Sequence, residues 1–306
     1  MLKIINELND RKIAFKTGLG GKELSAFRGG GKAAFTAYPE SVKALKDLCG
    51  IASAYEIEPF PFGLGSNVLI LDGGFDGIMV STVGLRRIEL DGTTLTLSSG
   101  VPMTKIAEIA AKYELSGAEE LCGIPATIGG MLKTNAGAFG KEIAEIVAEA
   151  TVCDTKTGNI SVLKRNEIPF SYRSSGDAFR DKIIIYVKLK LCRGKNVGAK
   201  AEYFRNMRRE YQPSLPSLGC TFKRTEEGIS AGYYIDKSGL KGTRIGKAEI
   251  SSKHAGFIVN RGGANASDYV KLMALASDAV RRKYGIELTP EIEIIGKEND
   301  PGESER

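Results

Sequence analysis

Residues 123–140 read Gly-Ile-Pro-Ala-Thr-Ile-Gly-Gly-Met-Leu-Lys-Thr-Asn-Ala-Gly-Ala-Phe-Gly. Five glycines, one proline, the polar residues Thr127 and Asn135 and a single charge at Lys133 make the block hard to explain as punctuation between elements. A neutral wall rich in main chain suits the close approach of an isoalloxazine or a nucleotide, which amides can hydrogen-bond. A chain of tight turns packed on itself is the alternative. Gly63-Leu64-Gly65-Ser66-Asn67 lies upstream, where successive N–H groups without side chains in the way could cradle a diphosphate. This segment is not the dinucleotide fingerprint: Val68 stands where the last glycine belongs, and strand-like VLILDGG follows instead of a helix. An ordinary glycine turn between strands competes with the anion reading, and a Walker-type phosphate loop is absent.

On the amino-terminal side of these blocks, periodicity predicts a helix from Glu40 to about Cys49, with Gly50 after its end. Short β-rich runs follow at 68–71, 78–80 and 94–98, then a helix after Pro102 whose Ile106, Ala110 and Tyr113 recur at helical spacing. A strand pair about Thr157-Gly158-Asn159 and the alternating run KIIIYVKLKL carry the chain to Leu191. A charged amphipathic helix and Pro213 and Pro216 come next, which places the main boundary near residue 200. AGFIVN reads as a strand, Ser267 starts a helix stopped by Gly285, and IELTPEIEII reads as a closing strand. The fold class is α+β.

Composition narrows the chemistry. His254 is the only histidine, so multi-histidine metal sites are excluded, and no metal centre is expected. Cys49, Cys122, Cys153, Cys192 and Cys220 form no C-x-x-C motif and suggest free thiols in a reducing cytoplasm. The start MLKIINELNDRK lacks the apolar core of a signal peptide, and no run is long enough to span a membrane, so a cytoplasmic protein without membrane insertion is expected. A net charge of +6, spread along the chain and without tryptophan or basic-aromatic repeats, favours a small anionic ligand over nucleic acid. No obligatory protein partner is expected.

Four further segments carry reactive groups. Ser171-Tyr172-Arg173-Ser174-Ser175 sets a guanidinium between small hydroxyls, suited to clamping a carboxylate or polarising an enolate, or to a salt bridge. Ser217-Leu218-Gly219-Cys220-Thr221-Phe222-Lys223-Arg224 sets a thiol near two cations, which eases proton exchange unless the thiol is buried and inert. Glu291 follows Thr289-Pro290 and is expected to open the closing strand, from which it could point into a site or stand as an ordinary solvated glutamate. His254 could contact a phosphate or fill a hydrogen-bonded site inside the fold.

Taken in order from Phe27 to Gly296, FRGGG, the Pro39-Glu40 helix, GLGSNVLI, GIPATIGGMLKTNAGAFG, SYRSS, GCTFKR, AGYYIDKSGLKG, IGKAEISSKHAGFIVN and TPEIEIIG resemble the UDP-N-acetylenolpyruvoylglucosamine reductase family of cell-wall synthesis, in its shorter form. The resemblance implies a two-subdomain FAD-binding fold of the vanillyl-alcohol-oxidase (PCMH) type plus a C-terminal α/β substrate domain. It implies FAD-binding subdomains at 1–85 and 86–200 and a substrate domain at 201–298, and the polar composition of 299–306 predicts a disordered tail. The resemblance also implies non-covalent FAD, NADPH as reductant, and UDP-N-acetylglucosamine enolpyruvate as substrate.

By motif position, Gly63, Gly65, Ser66, Asn67, Gly123, Ile124, Pro125, Thr127, Gly129, Gly130, Asn135, Gly137 and Ala138 would hold FAD. Arg173 and Glu291 would stabilise an enol-like intermediate, and Cys220 would donate the proton. Tyr172, Lys223, Arg224, Lys241, Lys253 and His254 would bind substrate. Many relatives carry serine where this chain has Cys220, and a thiol of reference pKa near 8.5 is mostly protonated at neutral pH yet gives up its proton more readily than a hydroxyl. An oxygen-using FAD oxidase and a non-catalytic nucleotide-sugar sensor are the rival readings. GCTFKR and TPEIE argue against the first, and three competent catalytic positions argue against the second.

Overall fold

Leu95 and Leu97 alternate with Thr94 and Thr96, and in the computed structural model, which describes residues 2–299, they point into a core from the strand Thr94–Ser98. This strand belongs to a five-stranded antiparallel sheet ordered Ile160–Lys164, Val147–Asp154, Lys182–Lys190, Thr94–Ser98 and Ile88–Asp91. The turn at Thr157-Gly158-Asn159 forms as expected: the Asp154 carboxylate accepts from the N–H groups of Lys156 and Thr157, and Gly158 takes φ +69°. The helix Met103–Lys112 buries Met103, Ile106 and Ala110 in the same core. A second sheet, ordered Ala14–Thr17, Ala33–Tyr38, Phe75–Ser81 and Pro59–Phe62, ends in a parallel pair, Pro59–Phe62 with Phe75–Ser81.

The chain divides into two compact units. The first comprises Met1–Lys16, Thr36–Leu64 and Gly77–Arg208; the second comprises Thr17–Phe35, Gly65–Asp76 and Arg209–Arg306. Residues 17–35 and 65–76 thus group with the carboxy-terminal segment. The second unit holds a four-stranded antiparallel sheet ordered Ser217–Cys220, Phe257–Asn260, Ala248–Ile250 and Arg244–Ile245. The helix Ala266–Tyr284 buries Tyr269, Leu272, Ala276 and Val280 in that unit's core, and the Asp72 carboxylate, 2.8 Å from both the Ala266 and Ser267 N–H groups, satisfies its first turn. Gly285 closes the helix in the left-handed conformation, as its position predicts.

Two expected elements are corrected. The helix after Pro39 starts at Val42, capped by the Ser41 hydroxyl, and runs through Gly50 to Ala54. Burial of Ile51 and Ala52, each 1% exposed, outweighs the roughly 1 kcal/mol that an interior glycine costs a helix. The closing strand covers Glu293–Ile295 only, paired in parallel with Val68–Ile70. Pro290, which lacks an N–H, makes an isolated bridge to Phe222 instead, so Glu291 precedes the strand. Of the tail expected to be disordered, residues 300–306 lie outside the described residues.

Candidate active site

Gly63 follows the strand Pro59–Phe62, and a Cβ at this position would lie 2.2 Å from Thr127 Oγ1 and 2.9 Å from its Cγ2. The start of the first glycine-rich block therefore presses directly on the second, which a side chain would prevent. Gly65 takes φ +63°, and its Cβ would strike the Leu24 carbonyl oxygen at 2.0 Å. Among the described residues, the N–H groups of Gly63, Leu64, Gly65, Ser66 and Asn67 have no acceptor. Five successive donors are thus left for a ligand or water.

The second block is partly helical. Thr127, 1% exposed, caps the helix Ile128–Lys133 by accepting from the Gly130 N–H at 3.4 Å. The Ile128 and Gly129 N–H groups donate to the Val101 and Ser99 carbonyls at 2.9 Å, so these two amides are engaged within the protein. What Gly129 contributes is the lack of a side chain, since a Cβ would lie 2.7 Å from Ser99 Cβ. At Gly123 a Cβ would lie 2.8 Å from Nε of the flexible Arg208 side chain, which would have to shift. Ile124 donates its N–H to the Leu121 carbonyl, and Pro125 is exposed. Ser99, not singled out from the sequence, is 1% exposed, and its hydroxyl has no partner among the described residues. Its only signal in the sequence is its place beside Gly100 at the end of an alternating run.

Asn135 is fully buried at φ +45°, and its side chain is committed internally. Its amide nitrogen donates to Glu142 Oε2 and to the Ser171 carbonyl, both at 2.8 Å, and its oxygen accepts from the Ala144 N–H at 3.2 Å. Gly137 and Ala138 pair with Glu142 and Lys141 in a two-residue ladder. Ser171 and Ser174 exchange two main-chain hydrogen bonds of 3.0 Å, and Arg173 within that turn takes φ +53°. Arg173 Nη2 donates to the Gly137 carbonyl at 2.7 Å, and its guanidinium lies 5.1 Å from the ring centroid of half-exposed Tyr172. These residues all belong to the first unit.

The second unit brings Cys220 and Glu291 onto neighbouring backbones. Cys220 ends the strand Ser217–Cys220, opposite Phe257, after Gly219 at φ +81° breaks the register. The Glu291 N–H donates to the Thr221 carbonyl at 2.9 Å, and Lys223 donates to Thr289 at 2.9 Å. Asn67 holds the same segment from its other side, with Nδ2 3.3 Å from the Glu291 carbonyl and its own carbonyl accepting from Glu293. Behind Cys220, Thr221 Oγ1 lies 3.0 Å from the hydroxyl of Tyr269, which is fully buried and meets Phe27 edge-on at 4.9 Å. Burial, above all, pushes the Tyr269 hydroxyl well above its ordinary pKa.

The basic residues differ in how they are engaged. Lys241 pairs with Asp236 at 2.7 Å, Lys253 donates to the Arg209 carbonyl at 2.9 Å, and Arg224 donates to the Gly228 carbonyl at 3.0 Å. Lys223 has no side-chain partner among the described residues. His254 sits edge-on to Phe257 at 4.9 Å, and its Nδ1 accepts from the Gly256 N–H at 3.1 Å. Burial pushes its pKa below the ordinary 6.5, which favours the neutral ring. Among the described residues, no group of three or more His, Cys, Asp or Glu could hold a metal ion, and no helix is long and apolar enough to cross a membrane.

Comparison with known proteins bears on both units. A family model described as UDP-N-acetylenolpyruvoylglucosamine reductase, C-terminal domain, matches residues 212–295, and one described as FAD binding domain matches residues 33–164. The UDP-N-acetylenolpyruvoylglucosamine reductase of Clostridium novyi is 37% identical over 282 residues, 91% of either chain. The crystal structure of UDP-N-acetylenolpyruvylglucosamine reductase from Thermus caldophilus superposes with a TM-score of 0.79 at 31% identity, covering 92% of this chain and 99% of that one. A glucose dehydrogenase, Phl p 4.0202, shares the fold alone: its TM-score is 0.51 at 14% identity, over 62% of this chain and 44% of that one. The α+β architecture with a PCMH-type FAD-binding region agrees with these matches.

Proposed function

The chain belongs to the UDP-N-acetylenolpyruvoylglucosamine reductase family, FAD-containing oxidoreductases of peptidoglycan precursor synthesis, and on that premise we propose that it reduces UDP-N-acetylglucosamine enolpyruvate to UDP-N-acetylmuramate with NADPH in the cytoplasm. The chemistry that FAD supplies when bound is hydride relay, from NADPH to the enolpyruvyl β-carbon. The residues present fit that group. Five amides without acceptors at 63–67 suit its diphosphate, and the neutral backbone of Gly123–Gly130 with the orphan Ser99 hydroxyl suits its ring. Gly63, Gly65, Ser66, Asn67, Gly123, Thr127, Gly130, Gly137 and Ala138, with Ser99 added, are the residues assigned to hold it.

The protein's own tasks concern charge and a proton. Negative charge builds on the substrate's α-carbon and carboxylate as hydride reaches the β-carbon; Arg173 and Glu291 are assigned to stabilise it. Cys220 gives its thiol proton to the α-carbon, completing the saturated lactyl ether, and the thiolate recovers a proton from water. Among the substrate-binding candidates, Lys223 offers an uncommitted ammonium for a phosphate, whereas Lys241, Lys253 and Arg224 would exchange existing hydrogen bonds. The observation that carries the reading is the pairing of Glu291 N–H with the Thr221 carbonyl, which sets the Glu291 main chain beside the residue that follows Cys220.

Anaerobic spectroscopy tests it. Flavin colour should bleach with NADPH and return only with the enolpyruvyl sugar. Bleached flavin that ignores the sugar and reoxidises in air would favour the oxidase reading, and protein that cannot be reconstituted with FAD would overturn the cofactor assignment. Cys220→Ser should stay active. Cys220→Ala should keep flavin reduction but lose on the order of 10² to 10⁴ in the second half-reaction, and unchanged turnover would sink the proton-donor role.

A further inference from the structure

The side chain of Asn135 has no hydrogen left for a ligand. Both amide hydrogens are donated, to Glu142 Oε2 and the Ser171 carbonyl, and the oxygen accepts from Ala144. One of those bonds reaches the turn that carries Arg173. The turn is closed by the Ser171–Ser174 main-chain pair, and Ser175, 3% exposed, ties its far side through a 2.7 Å bond to the Lys133 carbonyl. Asn135 and Ser175 therefore grip the turn at both ends from the segment Lys133–Asn135.

Between these grips Arg173 sits at φ +53°, in the left-handed region that a long side chain rarely occupies. A residue held there stays only if its surroundings over-determine the conformation. The guanidinium is then pinned to the Gly137 carbonyl, two residues beyond Asn135. One short segment, 133–137, thus fixes the main chain on either side of Arg173 and also receives its side chain.

We infer that Asn135 is a positioning residue for Arg173: its amide holds the strained Ser171–Ser175 turn so that the guanidinium is preset where negative charge develops, a role that rests on the assignment of Arg173 to charge stabilisation. Asn135 thereby differs from the part expected of it, since its side chain serves the arginine turn rather than the flavin.

The test uses the FAD-loaded enzyme in anaerobic stopped-flow, with N135S, R173A and the double variant, and follows the Arg173 Nε–Hε group by ¹⁵N NMR. N135S should slow flavin reoxidation by the enolpyruvyl sugar roughly 10- to 100-fold, leave flavin reduction by NADPH within about 2-fold, and lower the heteronuclear NOE of Arg173 Nε–Hε. In the R173A background the same substitution should add less than about 2-fold, because the group it positions is gone. If N135S multiplies in full onto R173A, or leaves Arg173 ordered and reoxidation unchanged, the positioning role is overturned. S175A, which removes the other tether, carries the same expectations and serves if N135S does not fold. R173A with unaltered reoxidation would overturn the role of Arg173 itself, and the inference with it. A slow R173A beside an unaffected N135S would overturn the inference alone.

Discussion

Substituting Gly63 with alanine probes the contact that joins the two glycine-rich blocks. The new Cβ would lie 2.2 Å from Thr127 Oγ1, 2.9 Å from Cγ2 and 3.1 Å from Cβ, so Thr127 must move or rotate. Gly63 does not have a positive φ, so the backbone tolerates alanine and the cost falls on packing. Overpacking of this kind costs about 1–3 kcal/mol, and the displaced hydroxyl gives up the cap on Ile128–Lys133, about 1 kcal/mol more. Gly63→Ala should therefore lose about 2–4 kcal/mol in urea unfolding of the FAD-saturated protein, and weaken FAD retention with it. Thr127→Ala alone should lose about 1 kcal/mol, the cap. In the double variant the Oγ1 and Cγ2 clashes vanish, leaving only the 3.1 Å approach, so its loss should be about 1–2 kcal/mol, well below the sum of the single effects. Additive losses, or a Gly63→Ala protein within about 0.5 kcal/mol of the original, would show that Gly63 and Thr127 are not packed against each other.

Two further outcomes follow from buried polar groups in the second unit. Tyr269→Phe should cost about 1–2 kcal/mol by leaving the Thr221 hydroxyl unpaired, and adding Thr221→Val should cost little more; equal independent losses in urea titrations would show the pair is not coupled. His254 has a folded-state pKa below its unfolded value of 6.5, so the stability it contributes is present above that value and is lost as pH falls from 6.5 through the folded pKa. His254→Gln should flatten that acid limb in unfolding measured from pH 8 down to 5, and an unchanged slope would remove His254 as its source.

Local patterns were legible wherever one element's own residues decide its form. The alternation in Thr94–Ser98, the Asp154 turn before Gly158 and the left-handed stop at Gly285 need no distant partner. Where packing competes with a local rule, packing prevails: Gly50 looks like a helix stop, but buried Ile51 and Ala52 carry the helix past it. The short strand Ile88–Asp91, joined to Thr94–Ser98 around the left-handed Gly92, has a weak apolar pattern and went unseen despite its Asp-Gly turn.

Residue types and their spacing set the chemistry available: which motifs occur, in what order, and that one histidine and five scattered cysteines leave little scope for metal chemistry. Residue types and local spacing survive any folding, so they can be read without it. What each polar group is spent on depends on contacts made across the fold. Asn135 reads as a cofactor ligand in its motif, and in the fold both of its amide hydrogens are donated, to residues 142 and 171. Ser99 reads as an ordinary strand-end serine, yet burial leaves its hydroxyl unpaired. Hydrogen-bond capacity is finite, and which partners saturate it depends on contacts between segments far apart in the chain; no local pattern encodes that allocation.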